Sequence, residues 1–377
     1  MRSILFVLIM LTVILGTNFY IFHRIWNIIP ANGYTLRIFF IVFALILVFS
    51  FFAGLLGGNV LPLPLTSFFY NLGMSWFFIC IYLLIIFVLI DILRFTHLFP
   101  MDKYVFGNWF SFGIIACVVT VVMTWGYFNY KDIKRVELHL AIDKEMGLNN
   151  PLKIVAISDL HLGFAIGKKE FEHWIELINK ENPDIVLIAG DIIDNNIKVL
   201  EKHDFASSFR KLNAKYGVYA ALGNHEYIGG ISKSLDFLHR AGVNVLRDSV
   251  ALIDDCFYVV GRDDRINSER KTIEELTASL DKSKPIFLID HQPYHLDEAA
   301  KNGIDFQISG HTHHGQIFPI SLVTNIMYEK SHGYLKKGNS HIYVTSGLGI
   351  WGGKFRIATQ SEYVVVIVYG KRILNQK

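Results

Sequence analysis

Two things are scarce in this sequence: cysteine along its whole length, and charge in its first third. Of the 377 residues only three are cysteines; Cys80 and Cys117 lie in apolar stretches and Cys256 stands alone in the polar part. That excludes a disulfide framework and a thiolate metal site, and leaves the redox compartment open. Residues 1–130 carry only five basic residues (Arg2, Arg24, Arg37, Arg94, Lys103) and two acidic ones (Asp91, Asp102). The other 31 Lys/Arg and 31 Asp/Glu fall after them, so the formal net charge of +3 belongs to the first part and the second part is neutral. A neutral domain gives no bulk electrostatic case for nucleic acid, which generally needs a basic face. Internal repeats and low-complexity segments are also missing.

What the first part has instead is length without charge: residues 3–22, 38–90 and 104–130 contain no Asp, Glu, Lys or Arg. A helix needs about 20 apolar residues to span a bilayer. The middle run of 53 residues is too long for one span, and Gly57-Gly58-Asn59 with Pro62 and Pro64 interrupts it. Four spans are expected, near 3–22, 38–56, 68–93 and 108–129. Arg2 before the first run resembles the start of a signal peptide, but no small-residue cleavage site follows and three more spans do, which favours a retained helix. Trp26, Tyr34, Trp76, Tyr104, Trp109, Trp125 and Tyr130 mostly mark expected ends, where amphipathic rings suit the interface. Asp91, Arg94 and His97 cluster at the edge of the third span, where interfacial solvation is expected to accommodate them. The expectation is an integral, multi-pass anchor or lipid-facing platform in the cell membrane. The flanking Lys/Arg count is four against four, so it selects no side for the second domain.

Residues 131–150 read as a connector with a first strand, and 151–377 as a second domain. Apolar runs at 136–141, 152–158, 185–189, 219–222, 243–246, 257–260, 286–289, 306–309, 342–345 and 363–368 read as strands. Helical patterns fall at 168–180, 197–212, 231–241, 271–280 and 295–302. The alternation argues an α/β class with a mixed sheet or a two-sheet sandwich.

Five motifs follow strands in order: Ser158-Asp159-Leu160-His161, Gly190-Asp191-Ile192-Ile193-Asp194, Gly223-Asn224-His225-Glu226, Asp290-His291-Gln292-Pro293 and Gly310-His311-Thr312-His313. The crevice beyond the strand ends is where α/β sheets collect ligands. Carboxylate, imidazole and amide oxygen suit Mn, Fe or Zn. The spacing of two in Asp159/His161 and His311/His313 turns both members one way if the segments are extended. A single Asp at position 191 suits a carboxylate shared by two cations, and two metals about 3.5–4 Å apart serve phosphoryl displacement. Gly190, Gly223 and Gly310 adjoin these residues, where positive φ or close backbone approach is easiest for glycine.

The motif order resembles the calcineurin-like metallophosphoesterase family over about residues 150–370. The resemblance implies a four-layer α/β sandwich with two di- or trivalent metal ions at the edge of two sheets. Asp159, His161, Asp191 and His313 would hold one metal, and Asp191, Asn224, His291 and His311 the other. His225 would protonate or stabilise the departing oxygen, with Asp194 orienting it; capping a helix that starts at Ile197 is Asp194's alternative role. Ser158-Asp159-Leu160-His161-Leu162-Gly163, His291-Gln292-Pro293 and the run from Gly310 to Pro319 look like the membrane-associated branch, which takes in transmembrane metallophosphoesterase-domain proteins and UDP-2,3-diacylglucosamine hydrolases. His314 stands where many relatives have Gly and reads as a substrate contact or a supporting residue, the latter favoured. Arg356, after the Gly-rich run 346–353, reads as a bidentate phosphate ligand or as a surface arginine.

The expected function is a phosphodiesterase or pyrophosphatase acting on a membrane-borne, phosphate-containing substrate, with lipid-linked and nucleotide-sugar lipids as the class implied. A soluble substrate with the membrane as address, a catalytically silent scaffold and a nuclease are the competitors; the full ligand set counts against the scaffold, and the neutral domain against the nuclease. Oligomeric state is open.

Overall fold

A computed structural model of the chain describes residues 2–29, 34–97, 100–194 and 196–374. Two compact units divide between Gly126 and Tyr127.

The first unit holds the helices Arg2–Ile28, Tyr34–Leu56 and Leu63–Phe95 and most of Trp109–Lys131. All four are long and apolar enough to cross a membrane. Pro62 and Pro64 occur at the start of the third helix, where a missing N–H costs nothing. Asp91 is not left to interfacial solvation: Arg24 Nη2 on the first helix donates to its Oδ2 at 2.6 Å and Tyr20 Oη at 2.5 Å. The helix reaches Phe95, so Asp91 sits a full turn inside it and needs a partner.

The second unit is built on two six-stranded sheets. The first runs β1 (Lys134–Ala141), β12 (Glu362–Tyr369), β2 (Leu152–Ile157), β3 (Ile185–Ala189), β4 (Val218–Ala221) and β5 (Asn244–Val245), parallel except where β12 meets β2. The second runs β10 (Gly333–Lys337), β11 (Ser340–Val344), β9 (Phe306–Ser309), β8 (Ile286–Ile289), β7 (Phe257–Gly261) and β6 (Ser249–Ile253), with antiparallel pairs only at its two edges. Strands such as Ile185–Ala189 are buried at every position, as parallel strands covered on both faces must be. Ile154, Leu187, Ala221, Phe257, Phe287 and Ile308 fill the core shared by the two sheets. Helices cover the outside: Lys168–Lys180 buries Phe171, Trp174, Ile175 and Ile178, one face at helical spacing, and the short helices Ile273–Thr277 and Asp297–Lys301 cover the second sheet. The class is α/β, with four layers, and all ten expected strands are present.

Among the described residues two strands and four α-helices were not expected, the helices being Met101–Tyr104, Asn224–Gly229, Ile320–Met327 and Lys371–Leu374. β6 and β10 are half-exposed edge strands; β10 has no apolar run, whereas β6 carries Val250-Ala251-Leu252-Ile253, a run as long as the one at 219–222 and absent from the expected strands. The helices Asn224–Gly229 and Ile320–Met327 lie inside or just after motifs. The expected helix over 197–212 breaks in two, because Asp204 takes φ 48° and its carboxylate accepts from Ser207 N at 3.2 Å as a new cap.

Candidate metal centre

The loops that follow β2 and β3 run side by side beyond the strands. Asp159 N donates to Gly190 O and His161 N to Asp191 O, both at 3.0 Å, so the first two motifs are locked in register. Gly310 N likewise donates to His291 O at 2.9 Å. The segments are not extended, contrary to the expectation from spacing. Asp159, His161, Asp191, His311 and His313 all have positive φ, between 44° and 69°. Side chains converge because each loop folds back in the left-handed region, a strained arrangement typical of functional sites. Gly190 needs its own positive φ of 76°, and a Cβ at Gly223 would collide with Asp191 Oδ1.

Three groups of donor atoms result: Asp159, His161 and His313; His161, Asp191 and His225; and Asp191, His291 and His311. His161 Nε2 lies 3.0 Å from His313 Nε2, and His313 Nε2 lies 3.4 Å from Asp159 Oδ1. On the other side His291 Nε2 lies 3.2 Å from Asp191 Oδ2 and 3.3 Å from Asn224 Oδ1. Asp191 Oδ2 is also 3.7 Å from His161 Nε2, while its Oδ1 accepts from His225 N at 2.9 Å. One oxygen of Asp191 therefore faces both donor sets and the other is fixed by backbone.

These residues fit a pair of cations. Burial and the neighbouring His291 hold the pKa of His311 down to about 3, and burial with His161 and Arg356 holds His313 well below its ordinary value. Both rings are thus neutral donors in a buried cluster with carboxylates, the combination a divalent ion satisfies. His291 Nδ1 meets Ala189 O at 2.7 Å, so Nδ1 carries the proton and Nε2 is left as the ligand atom.

His225 stands beside this cluster, its ring edge-on to His161 with centroids 4.5 Å apart. Its Nδ1 is 2.9 Å from Asp194 O and 3.3 Å from Asp194 Oδ1. Burial opposes a charge on His225, but the Asp194 contact and the Asp191 charge outweigh it and raise the pKa to about 9. Asp194 Oδ1 lies 3.4 Å from His161 Nδ1 as well, so one carboxylate serves a ligand and the candidate acid together. It does not cap the following helix; Asn196 does, accepting from Lys198 N at 3.0 Å.

Arg356 is placed neither as a phosphate ligand nor as a surface arginine. It is fully buried, and its Nη atoms donate to His313 O (2.7 Å), Ser346 O (2.6 Å) and Gly349 O (2.7 Å). The loop it fastens crosses Asp159: Leu348 N donates to Ser158 O and Gly349 N to Asp159 O. Arg356 therefore braces two of the donor-bearing segments. His314 stacks on His332, centroids 4.6 Å apart, and His332 Nε2 reaches Glu362 at 3.1 Å. Burial and His332 lower the pKa of His314 to about 4, which leaves a neutral supporting ring.

One working residue had no role assigned from sequence. Glu226, fully buried, accepts from Ile192 N and Gly223 N at 2.8 Å, Ile193 N at 2.9 Å and Asp191 N at 3.1 Å. It clamps the Asp191 loop to the Asn224 loop. Its signal was its place directly after Gly223-Asn224-His225.

Comparison with known proteins agrees with this geometry. The calcineurin-like phosphoesterase model matches residues 152–315. An uncharacterized metallophosphoesterase of Campylobacter jejuni is 32% identical over 271 residues, 69% of this chain and 70% of that one. Another from Aquifex aeolicus is 32% identical over 244 residues, 63% of this chain and 92% of its own length. A transmembrane protein with metallophosphoesterase domain from Danio rerio is 29% identical over 273 residues, 68% of this chain and 62% of that one. The chain belongs to the calcineurin-like phosphoesterase family, whose members hydrolyse phosphoesters at a dinuclear metal centre.

Proposed function

We propose that the chain is a multi-pass cell-membrane hydrolase that cuts a phosphodiester or pyrophosphate bond in a lipid-linked substrate, nucleotide-sugar lipids such as UDP-2,3-diacylglucosamine being the class tested first. The observation that carries it is Asp191 Oδ2, 3.7 Å from His161 Nε2 and 3.2 Å from His291 Nε2, which joins two donor sets through one carboxylate. Bound there, a pair of cations supplies Lewis acidity toward a phosphoryl group and a more acidic water. Asp159, His161, Asp191 and His313 would hold one cation, and Asp191, Asn224, His291 and His311 the other; Mn, Fe and Zn suit these donors.

The protein's own proton chemistry rests on His225. With Nδ1 held by Asp194, Nε2 is the atom free to hand a proton to the departing oxygen. The four apolar helices support a membrane-borne substrate, because they confine the site to the neighbourhood of lipid head groups. Detergent-purified protein with Mn is expected to turn over bis(4-nitrophenyl) phosphate and UDP-2,3-diacylglucosamine faster than 4-nitrophenyl phosphate. Bound metal with no turnover of any of the three sinks the proposal.

A further inference from the structure

The segment leaving the Gly310–Gln316 motif forms the helix Ile320–Met327. Leu322, Val323, Ile326 and Met327 recur at i, i+1, i+4 and i+5, so they share one face. That face is exposed: Ile326 is 86% exposed, Met327 62%, and Leu322 and Val323 52% each, with Phe318 at 46% beside it. Ser321 is buried at 7%. Soluble surfaces rarely keep a contiguous apolar patch of this kind, and where one persists it marks a protein or membrane contact.

The hydrogen bonding around the patch selects a membrane. Residues 127–131, the last turn of the fourth apolar helix, belong to the catalytic unit. Asn129 Nδ2 in that turn donates to Arg356 O at 2.9 Å and Thr359 O at 2.6 Å. Ile357, between those two residues, donates to Gln316 O at 3.2 Å and accepts from Phe318 N at 2.8 Å. A helix end with an exposed Tyr127 and a part-exposed Lys131, the latter paired with Glu170 at 2.6 Å, is thereby tied, through one short loop, to the first residue of the patch. Tyr and Lys at the end of an apolar span mark the level of the head groups. Residues 318–328 contain no Asp, Glu, Lys or Arg, so nothing in the patch calls for a charged protein partner. The patch also adjoins the metal centre, since Tyr328, just past the helix, has its ring 6.3 Å from that of His311.

We propose that Phe318, Leu322, Val323, Ile326 and Met327 enter the head-group region of the bilayer and dock the mouth of the metal centre on the lipid surface. Helices that lie in an interface bury such a face by roughly 5–10 Å. This deepens the proposed function by naming the surface from which the substrate is drawn, and it rests on that function only for its effect on turnover.

The test uses the full chain in nanodiscs of phosphatidylethanolamine and phosphatidylglycerol. With the three native cysteines replaced by alanine, a single cysteine at Ile326, or at Leu252 on the edge strand β6, carries an environment-sensitive fluorophore. The label at 326 is expected to shift to the blue and to be quenched by nitroxide-bearing lipid, while the label at 252 does neither. Equal exposure of both labels overturns the proposal. So does a blue shift that survives in detergent together with the mass of a dimer, which gives the patch to a second copy. Hydrogen exchange on the unmodified chain is the independent measurement: backbone amides of 318–327 are expected to be more protected in nanodiscs than in detergent, and equal rates count against docking. The double variant Leu322→Ser/Ile326→Ser is then expected to lower turnover of vesicle-embedded 4-nitrophenyl hexadecyl phosphate by at least about tenfold relative to soluble bis(4-nitrophenyl) phosphate, the lost burial of two aliphatic side chains setting a larger upper bound. An unchanged ratio overturns docking as the route to substrate. Failure to cut either ester, with quenching intact, removes the enzymatic function and leaves the docking.

Discussion

The two compact units place their buried polar groups in opposite ways. Among the described residues of the apolar unit only three charged side chains are half-buried: Asp91, which Arg24 and Tyr20 surround, Arg24 itself, and Arg37, which donates to Ile29 O at 2.7 Å and lies over the Trp26 ring. In the catalytic unit buried charge is abundant and collects beyond the ends of β2, β3, β4, β8 and β9, where Asp159, Asp191, Asp194, Glu226 and the histidines lie within one cluster. A lone buried charge is costly, so each unit has to provide a partner. The apolar unit does so with the Arg24–Asp91 pair between helices and, for Arg37, with a backbone carbonyl and an aromatic ring. The catalytic unit does so with backbone N–H groups and ion pairs, and bound cations would add to them at the Asp and His cluster. Substitutions should therefore act on metal content in one unit and on helix association in the other.

The largest effect is expected at the residue both donor sets share. Asp191→Asn replaces the oxygen facing both cations with a weaker, neutral donor, and should abolish turnover with loss of bound metal, read by elemental analysis. Retention of two metals with full activity would show that the two donor sets do not depend on this carboxylate.

His225→Ala should keep both metals and slow turnover, since a positioned acid is typically worth about 10²–10⁴-fold. Its pKa lies above the ordinary 6.5, at about 9, so the wild-type proton is present at neutral pH and is lost as pH rises through that value. Because the Asp191 charge is one of the causes, metal bound there would bring this alkaline limb down toward the ordinary value. The variant should lack the limb altogether. Release of metal by this substitution would make His225 a ligand.

Arg356→Gln comes next. It leaves carbonyls of Ser346, Gly349 and His313 short of a donor, at about 1–3 kcal/mol each, so the melting temperature should fall. Because one of those carbonyls is that of His313 and the other two belong to the loop that hydrogen-bonds Ser158 and Asp159, metal affinity should drop about 10–100-fold. A change in KM alone, with melting and metal binding intact, would restore Arg356 as a phosphate contact.

How far the sequence exposed all this follows from the kind of interaction involved. The four apolar helices and the buried parallel strands were legible because an unbroken run of apolar side chains carries its own signal. The donor residues were legible as five short motifs after such runs. What could not be read was set by backbone geometry and by contacts distant in sequence. Positive φ at Asp159, His161, Asp191, His311 and His313 brings side chains together that an extended chain would have aligned differently. Glu226 and Arg356 act through backbone groups up to 35 and 43 residues away, so nothing beside them in the sequence states their partners. Asp91 was misplaced for the same reason, its partner Arg24 lying 67 residues earlier.

That pair gives the smallest and most local expectation, and the sharpest test of the contrast between units. Asp91 Oδ2 accepts from both Arg24 and Tyr20, and its side chain is 26% exposed against 19% for Arg24. Polar contacts between helices in an apolar medium contribute about 1–2 kcal/mol at most. Asp91→Ala removes the acceptor and leaves Arg24 without its carboxylate, so the helical signal of the detergent-solubilised chain should melt earlier by that amount. Metal content and turnover of a soluble phosphodiester should not move, because no donor to the metal centre lies in the apolar unit. If Asp91→Ala instead lowered metal occupancy or turnover, the polar groups of the two units would be coupled, and the helices would have a part in catalysis that an anchor does not need.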